Sequence, residues 1–132
     1  YYMGEAYDQL GDAKKAKSSY QKSIDAQSGR GMNDLLFFQG KSLEKLGDSE
    51  KAKTIYKDLI AKGKSMRESG TDNTLVAVEE ASATNNKFTS NSYYLEALGN
   101  LGLKNTAESE KELQQALDIY PNNLWAKIMM NN

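Results

Sequence analysis

The chain of 132 residues has no cysteine and no histidine, and only one proline and one tryptophan. The first two absences exclude a thiol nucleophile, a histidine general base and the commonest zinc ligands. Lack of cysteine leaves open whether the protein works in a reducing or an oxidising compartment. No apolar run approaches the length of a membrane span, and no signal peptide is visible at the start. There is also no excess of either charge. Seventeen basic residues stand against eighteen acidic ones, for a net charge of −1. That balance gives no support to a nucleic-acid or anionic-membrane partner, both of which call for a basic face. The composition is otherwise that of one ordinary soluble domain. The cytoplasm and the periplasm both remain open.

What the sequence does have is a repeat. Gly4 to Ile24 and Gly40 to Ile60 share Gly4/Gly40, Leu10/Leu46, Gly11/Gly47, Asp12/Asp48, Lys15/Lys51, Ala16/Ala52, Lys17/Lys53, Tyr20/Tyr56 and Ile24/Ile60. The offset is constant, 40 − 4 = 36 residues. Self-similarity at such a period marks a helical repeat. Because Tyr1 to Gly4 already fall inside the first repeat helix, the chain reads as a piece of something longer.

The first unit predicts a helix over Tyr1–Leu10 with Tyr2, Met3, Ala6, Tyr7 and Leu10 on its apolar side. Gly11 stops it in the left-handed cap conformation, and Asp12 caps the next helix. That second helix, about Ala13 to Ala26, places Ala13, Ala16, Tyr20 and Ile24 inward. After a break at Ser28 to Gly31, Asn33 or Asp34 caps a third helix running to Leu46, with Gly47 and Asp48 repeating the turn. A fourth helix, about Ser49 to Lys62, buries Ala52, Ile55, Tyr56, Leu59 and Ile60.

From 63 to 91 the pattern is interrupted. Gly63, Gly70, the run Ser69 to Asn73 and the polar stretch Ser82 to Ser92 read as loop material. A short helix is expected between them, over Thr74 to Ala83. Periodicity resumes over Tyr93–Gly102 and Thr106–Ile119, ends at Pro121, and leaves a last short helix capped by Asn122 or Asn123.

These helix pairs, with a small residue in the first helix, a Gly-Asp turn, then Ala and an aromatic, and a closing Pro-Asn-Asn, resemble the tetratricopeptide repeat, whose period is about 34 residues. Gly4, Tyr7, Gly11, Asp12, Ala16, Tyr20 and Ile24 carry the resemblance in the first unit. Gly40, Leu43, Gly47, Asp48, Ala52, Tyr56, Leu59 and Ile60 carry it in the second. Ala97, Leu113, Ala116, Leu117 and Pro121 carry it in the third, where Lys104 replaces the turn glycine and Ser109 the helix alanine. The order of units is also similar to the repeat tails of large bacterial multidomain proteins, which implies an accessory domain on a larger chain, with carbohydrate-active chains among the candidates.

The resemblance implies an all-α fold, a right-handed α-α superhelix of about three helix pairs. Repeat 1 spans about 1–28, repeat 2 about 33–62, an insertion about 63–91, repeat 3 about 92–121 and a capping helix about 122–130. It implies a non-catalytic protein-interaction module with no cofactor and no metal, which binds a protein or peptide on its concave face. On that face it places Phe37, Lys41, Glu44, Lys45, Tyr94 and Leu98 as partner-binding residues. The Lys, Arg and Asn clamp by which some relatives hold a peptide carboxylate is not matched, since only Lys41 and Lys45 are basic there. A homodimer, or a structural accessory role, stays open.

The residues that look chemical have structural readings. Tyr7, Tyr20 and Tyr56 are expected as core, and Gly4 and Gly40 as points of close helix approach. Asp12 and Asp48 are expected as caps rather than catalytic carboxylates. Glu79 and Glu80, adjacent on a helix, would point apart and share no site. Trp125 is expected to cover the last helix pair.

Overall fold

A computed structural model describes residues 1–26, 34–70 and 78–131. They form seven helices and, among the described residues, no strand: α1 (Tyr2–Gln9), α2 (Ala13–Asp25), α3 (Asp34–Lys45), α4 (Ser49–Gly70), α5 (Val78–Gly102), α6 (Thr106–Ile119) and α7 (Leu124–Met130). Each helix packs on the next in the chain, and α3 also touches α5. The fold is therefore an all-α helical repeat in which every pair is covered by its neighbours.

The helix ends follow from the residues named above. Gly11 and Gly47 take positive φ, +74° and +88°. Asp12 Oδ1 accepts from the Lys15 amide at 3.1 Å, and Asp48 Oδ1 from the Lys51 amide at 3.3 Å. The amide of each Asp also reaches back to a carbonyl five residues earlier, Asp12 to Tyr7 and Asp48 to Leu43, both at 2.9 Å. This closes the preceding helix in the manner of a Schellman turn. The third turn has the same geometry without the glycine. Lys104 sits at φ 65°, and the Asn105 amide donates to the Asn100 carbonyl at 2.9 Å. Ser109, in place of the helix alanine, is buried and donates its hydroxyl to the Ala97 carbonyl at 2.8 Å.

The core is a ring-in-groove arrangement. A Cβ on Gly4 would stand 2.4 Å from Tyr20 Cε1, and one on Gly40 would stand 2.4 Å from Tyr56 Cε1. Tyr20 and Tyr56 are buried, as expected of them. Around Tyr56 gather Phe37, Leu43, Ala52, Leu59, Leu95, Leu98, Leu113 and Ala116. Tyr7 is only half-buried, and the Lys15 ammonium lies 5.4 Å from its ring centroid.

Four expectations are corrected. First, the loop reading of 63–70 and of 82–92 fails: α4 runs on through Gly70 and α5 starts at Val78. Gly63 is a contact point, since a Cβ there would lie 2.5 Å from the Ser92 carbonyl oxygen. Two long helices packed against each other bury enough surface to override the poor helix propensity of the Ser, Thr and Asn run. The short helix expected over 74–83 falls partly on residues 71–77, outside the described residues, and from 78 onward belongs to α5. Second, the apolar side assigned to α1 is not buried. Tyr2, Met3 and Leu10 are exposed, and α1 meets α2 through Gly4. Ala13 of α2 is likewise exposed. Third, Trp125 does not cover the last helix pair. It is 56% exposed, while Ala126 is fully buried and Met129 and Met130 pack on the core. Fourth, Phe37, Tyr94 and Leu98 are not exposed positions, since each lies in the core.

Asn123 is the residue that caps α7, its Oδ1 accepting from the Ala126 amide at 3.2 Å. Asn33 and the break at 28–31 fall outside the described residues.

Candidate functional site

A groove of about 460 Å³ opens between α3, α5 and the α6–α7 turn. That is within the ~300–1,000 Å³ span of binding clefts. Along α5 it is lined by Lys87, Asn91, Tyr94 and Leu95. Their spacing of four, three and one residues puts them on one helical face. Asp34 at the start of α3 and Met66 on the extended part of α4 close one wall, and Leu124 and Trp125 of α7, with Tyr120 and Asn122, close the other.

The groove exists because of how the α6–α7 turn is tied down. Pro121 ends the helical run, and Asn123 folds back onto α5. Its Nδ2 donates to Ser90 Oγ at 2.9 Å and to Asn91 Oδ1 at 3.3 Å, and the Ser90 hydroxyl donates on to the Ala116 carbonyl at 2.6 Å. On α7, Ala126 is buried and Met129 and Met130 pack on the core, while Leu124 and Trp125 stay exposed. The result is an exposed aromatic over a polar-rimmed cleft. Burial, with the Asp34 charge next, pushes the Tyr94 phenol above its ordinary range. Tyr94 is therefore a neutral group at any physiological pH.

Behind the groove lies a buried polar cluster. Arg67 of α4 pairs with Glu96 of α5, lies 3.3 Å from Ser92 Oγ and stacks 4.1 Å from the Tyr93 ring centroid. Glu112 of α6 accepts two bonds from Asn100 Nδ2, at 3.1 and 2.9 Å. Burial, and secondarily the Glu96 charge, raises the Glu112 carboxyl, against the Asn100 bonds. These groups fasten α4, α5 and α6 together, and among the described residues no three metal-ligating side chains come together.

The six residues expected to bind a partner divide into two groups. Phe37 and Leu98 are buried among other side chains, and Tyr94, also buried, lines the groove. Lys41, Glu44 and Lys45 lie on a second surface beside α1, where their charges are taken up internally. Lys41 pairs with Glu44 at 3.6 Å, and Lys45 lies 3.8 Å from Glu5 and 4.0 Å from Asp8. Asp8 in turn accepts from the Tyr20 hydroxyl at 2.6 Å, and Glu5 from the Tyr1 hydroxyl. Of the expected set, only Tyr94 is a groove residue. In the sequence Trp125 reads as a covering residue and Asn91 as part of a polar stretch. Lys87 and Asp34 carried no signal beyond a polar stretch and a helix start.

Residues 1–29 and residues 34–62 each match a family model described as tetratricopeptide repeat. The first two helix pairs are tetratricopeptide repeats. No curated protein and no solved structure matches the chain. Repeats of this family generally mediate protein–protein interaction. No helix among the described residues is long and apolar enough to cross a membrane.

Proposed function

We propose that the chain is a non-catalytic interaction module that holds a polypeptide segment in the groove between α3, α5 and α7. The observation that carries this reading is the exposed pair Leu124 and Trp125 standing over Tyr94 and Asn91. A large aromatic left in water beside a cleft is the residue type that anchors protein contacts. Amides on the rim supply hydrogen bonds to a passing backbone. This reading puts the contact in the groove and not at Lys41 and Lys45, which pair with Glu44 and with Glu5 and Asp8.

Selection of a random displayed-peptide library on the folded protein tests this. Enriched peptides should bind the wild type and lose binding to Trp125→Ala by tenfold or more. Enriched peptides that bind Trp125→Ala undiminished would place the contact elsewhere.

A second reading has its own observation. Tyr2, Met3 and Leu10 leave apolar surface exposed on α1, and such a patch is suited to a neighbouring domain or a second copy. A mass that rises with concentration in light scattering, and that Leu10→Lys returns to monomer, would favour it.

A further inference from the structure

Apolar exposure is concentrated at the two ends of the helix stack. Among the described residues seven large apolar side chains are exposed: Tyr2, Met3 and Leu10 on or just after α1, Leu124, Trp125 and Ile128 on α7, and Phe88 apart from both on α5. Each helix packs on the next, so α1 and α7 are the first and last layers of the described stack. Helical arrays are ordinarily closed by terminal units with a polar outer face; at both described ends the outer side is apolar instead. On α1, Met3, Ala6 and Leu10 stand three and four residues apart, on one side, and all three are exposed. The repeat offset of 36 puts them in register with Gln39, Ser42 and Leu46 of the second unit. Gln39 and Ser42 are buried, and Gln39 donates to the Ile24 and Ala26 carbonyls at the end of α2. The outward side of α1 is thus the side on which α3 receives a helix, with the hydrogen-bonding amide replaced by Met3. Having no donor there, it is suited to the apolar flank of a helix and not to a helix terminus. On α7, Leu124 and Ile128, four residues apart, form such a flank on the side away from the buried Ala126.

Resting on the second of the two readings above, we infer that copies of this chain stack end to end, the α1 side of one copy on the Leu124–Ile128 side of α7 of the next. One contact of this kind covers both apolar ends, whereas α1 against a second α1 leaves α7 in water. The two helices match in length, with eight and seven residues, or about 12 and 10 Å. Their charges also differ in sign. α1 carries Glu5 and Asp8 and no base, with Lys45 near both to offset one of them, and α7 carries Lys127 and no acid. Two α1 helices face to face would repeat one sign, while α1 on α7 brings opposite signs together. Because the two surfaces differ, the contact is heterologous, and a joined pair keeps an open end for a further copy. Trp125, beside the α7 stripe, lines the groove and is left to it.

Two substitutions at exposed positions, one at each end, test this: Leu10→Lys and Ile128→Lys, each with a far-ultraviolet circular dichroism spectrum that should match the wild type. In sedimentation equilibrium the wild-type mass should rise with concentration beyond that of a dimer. Each variant alone should be monomeric, since every α1–α7 contact then meets a lysine. An equimolar mixture of the two should form a one-to-one dimer and nothing larger, because only the intact α1 of Ile128→Lys and the intact α7 of Leu10→Lys can join. Self-association of Ile128→Lys, with Leu10→Lys monomeric both alone and in the mixture, would mean that α1 pairs with α1; it would overturn the inference and leave the second reading in place. A mixture that stays monomeric while the wild type associates would overturn the inference as well. A wild type that is monomeric at every concentration would overturn the inference together with the second copy in that reading.

Discussion

The ring of Tyr56 is wedged against Gly102: a Cβ at that glycine would lie 2.3 Å from Tyr56 Cδ1. Gly40 approaches the same ring from α3, so Tyr56 of α4 is clasped between the first helices of two successive pairs. The corresponding position on α3, opposite Tyr20, is Lys45, which reaches the Asp8 carboxylate instead. The two interfaces thus solve the same packing problem differently, one with an ion-paired rim and one with bare backbone.

Gly102→Ala should therefore destabilise the protein by about 1–3 kcal/mol or more, the range for overpacking a filled core. Urea denaturation would show a lower midpoint. Among the described residues the buried Tyr56 hydroxyl, unlike that of Tyr20, meets no acceptor with hydrogen-bond geometry; the nearby Glu44 carboxylate, through its charge and as an acceptor too poorly placed to close the bond, adds to burial in raising the phenol. Tyr56→Phe is accordingly expected to be neutral or stabilising, whereas Tyr20→Phe, which removes the bond to Asp8, should cost about 1 kcal/mol.

Lys104 occupies a left-handed conformation that glycine takes freely in the other two turns. A side chain there costs about 1–2 kcal/mol. Lys104→Gly should recover about 1 kcal/mol after the extra entropy of the unfolded glycine is counted. The urea midpoint should rise with an unchanged m-value.

Arg67 and Glu96 form a pair whose carboxylate side chain is 4% exposed. Arg67→Ala leaves that charge without its partner and should cost about 3 kcal/mol or more. The double variant Arg67→Met, Glu96→Met removes both charges and keeps apolar volume, so it should be the more stable of the two. A double variant less stable than Arg67→Ala would contradict this account of the cluster.

Glu112 gives the protein a pH dependence of a stated sign. Its carboxyl is raised above the ordinary 4.5, chiefly by burial. The folded state therefore holds the proton more tightly than the unfolded chain. Its contribution to stability is complete below about 4.5 and falls as pH rises through the folded value. Glu112→Gln keeps an acceptor for Asn100 and cannot ionise. Its stability relative to wild type should rise as pH goes from about 4 to 7. A difference that is flat over this range would rule the assignment out. Asp12 and Asp48 act oppositely: hydrogen bonds and charge from Lys15 and Lys51 lower them. They drop out when the variant is compared with wild type at each pH.

Much of the fold was legible in the chain itself. Gly11, Asp12, Gly47 and Asp48 are local signals, since a positive φ and a side-chain cap depend on a few adjacent residues. Gly4 and Gly40 as points of close approach, and Tyr20 and Tyr56 as core, were legible because the repeat shows each twice; that each glycine meets its tyrosine is seen only in the fold. The run from 63 to 91 was misread for a physical reason. Gly63, Ser90 and Ser92 look like helix breakers, but they are small because α4, α5 and α6 approach there. Propensity reports the isolated chain and not that packing. The site was less legible still. Phe37 and Leu98 look available on a repeat surface, yet both lie in the core. Trp125 looks like core, yet its neighbour Ala126 holds the inward position. The Asn123 bond to Ser90, which ties the start of α7 to α5, joins residues 33 apart in the chain and has no local signal.

The central claim is that the contact surface lies between α3, α5 and α7. Chemical-shift mapping with a library-selected peptide tests it most directly, because the Trp125 indole N–H is a lone, assigned-by-type resonance. The account predicts that this signal and the side-chain amides of Asn91 and Asn122 shift on titration, while the amides around Lys41 and Lys45 hold still. Shifts confined to α1 or to the Lys41–Lys45 surface, with the indole unmoved, would contradict it.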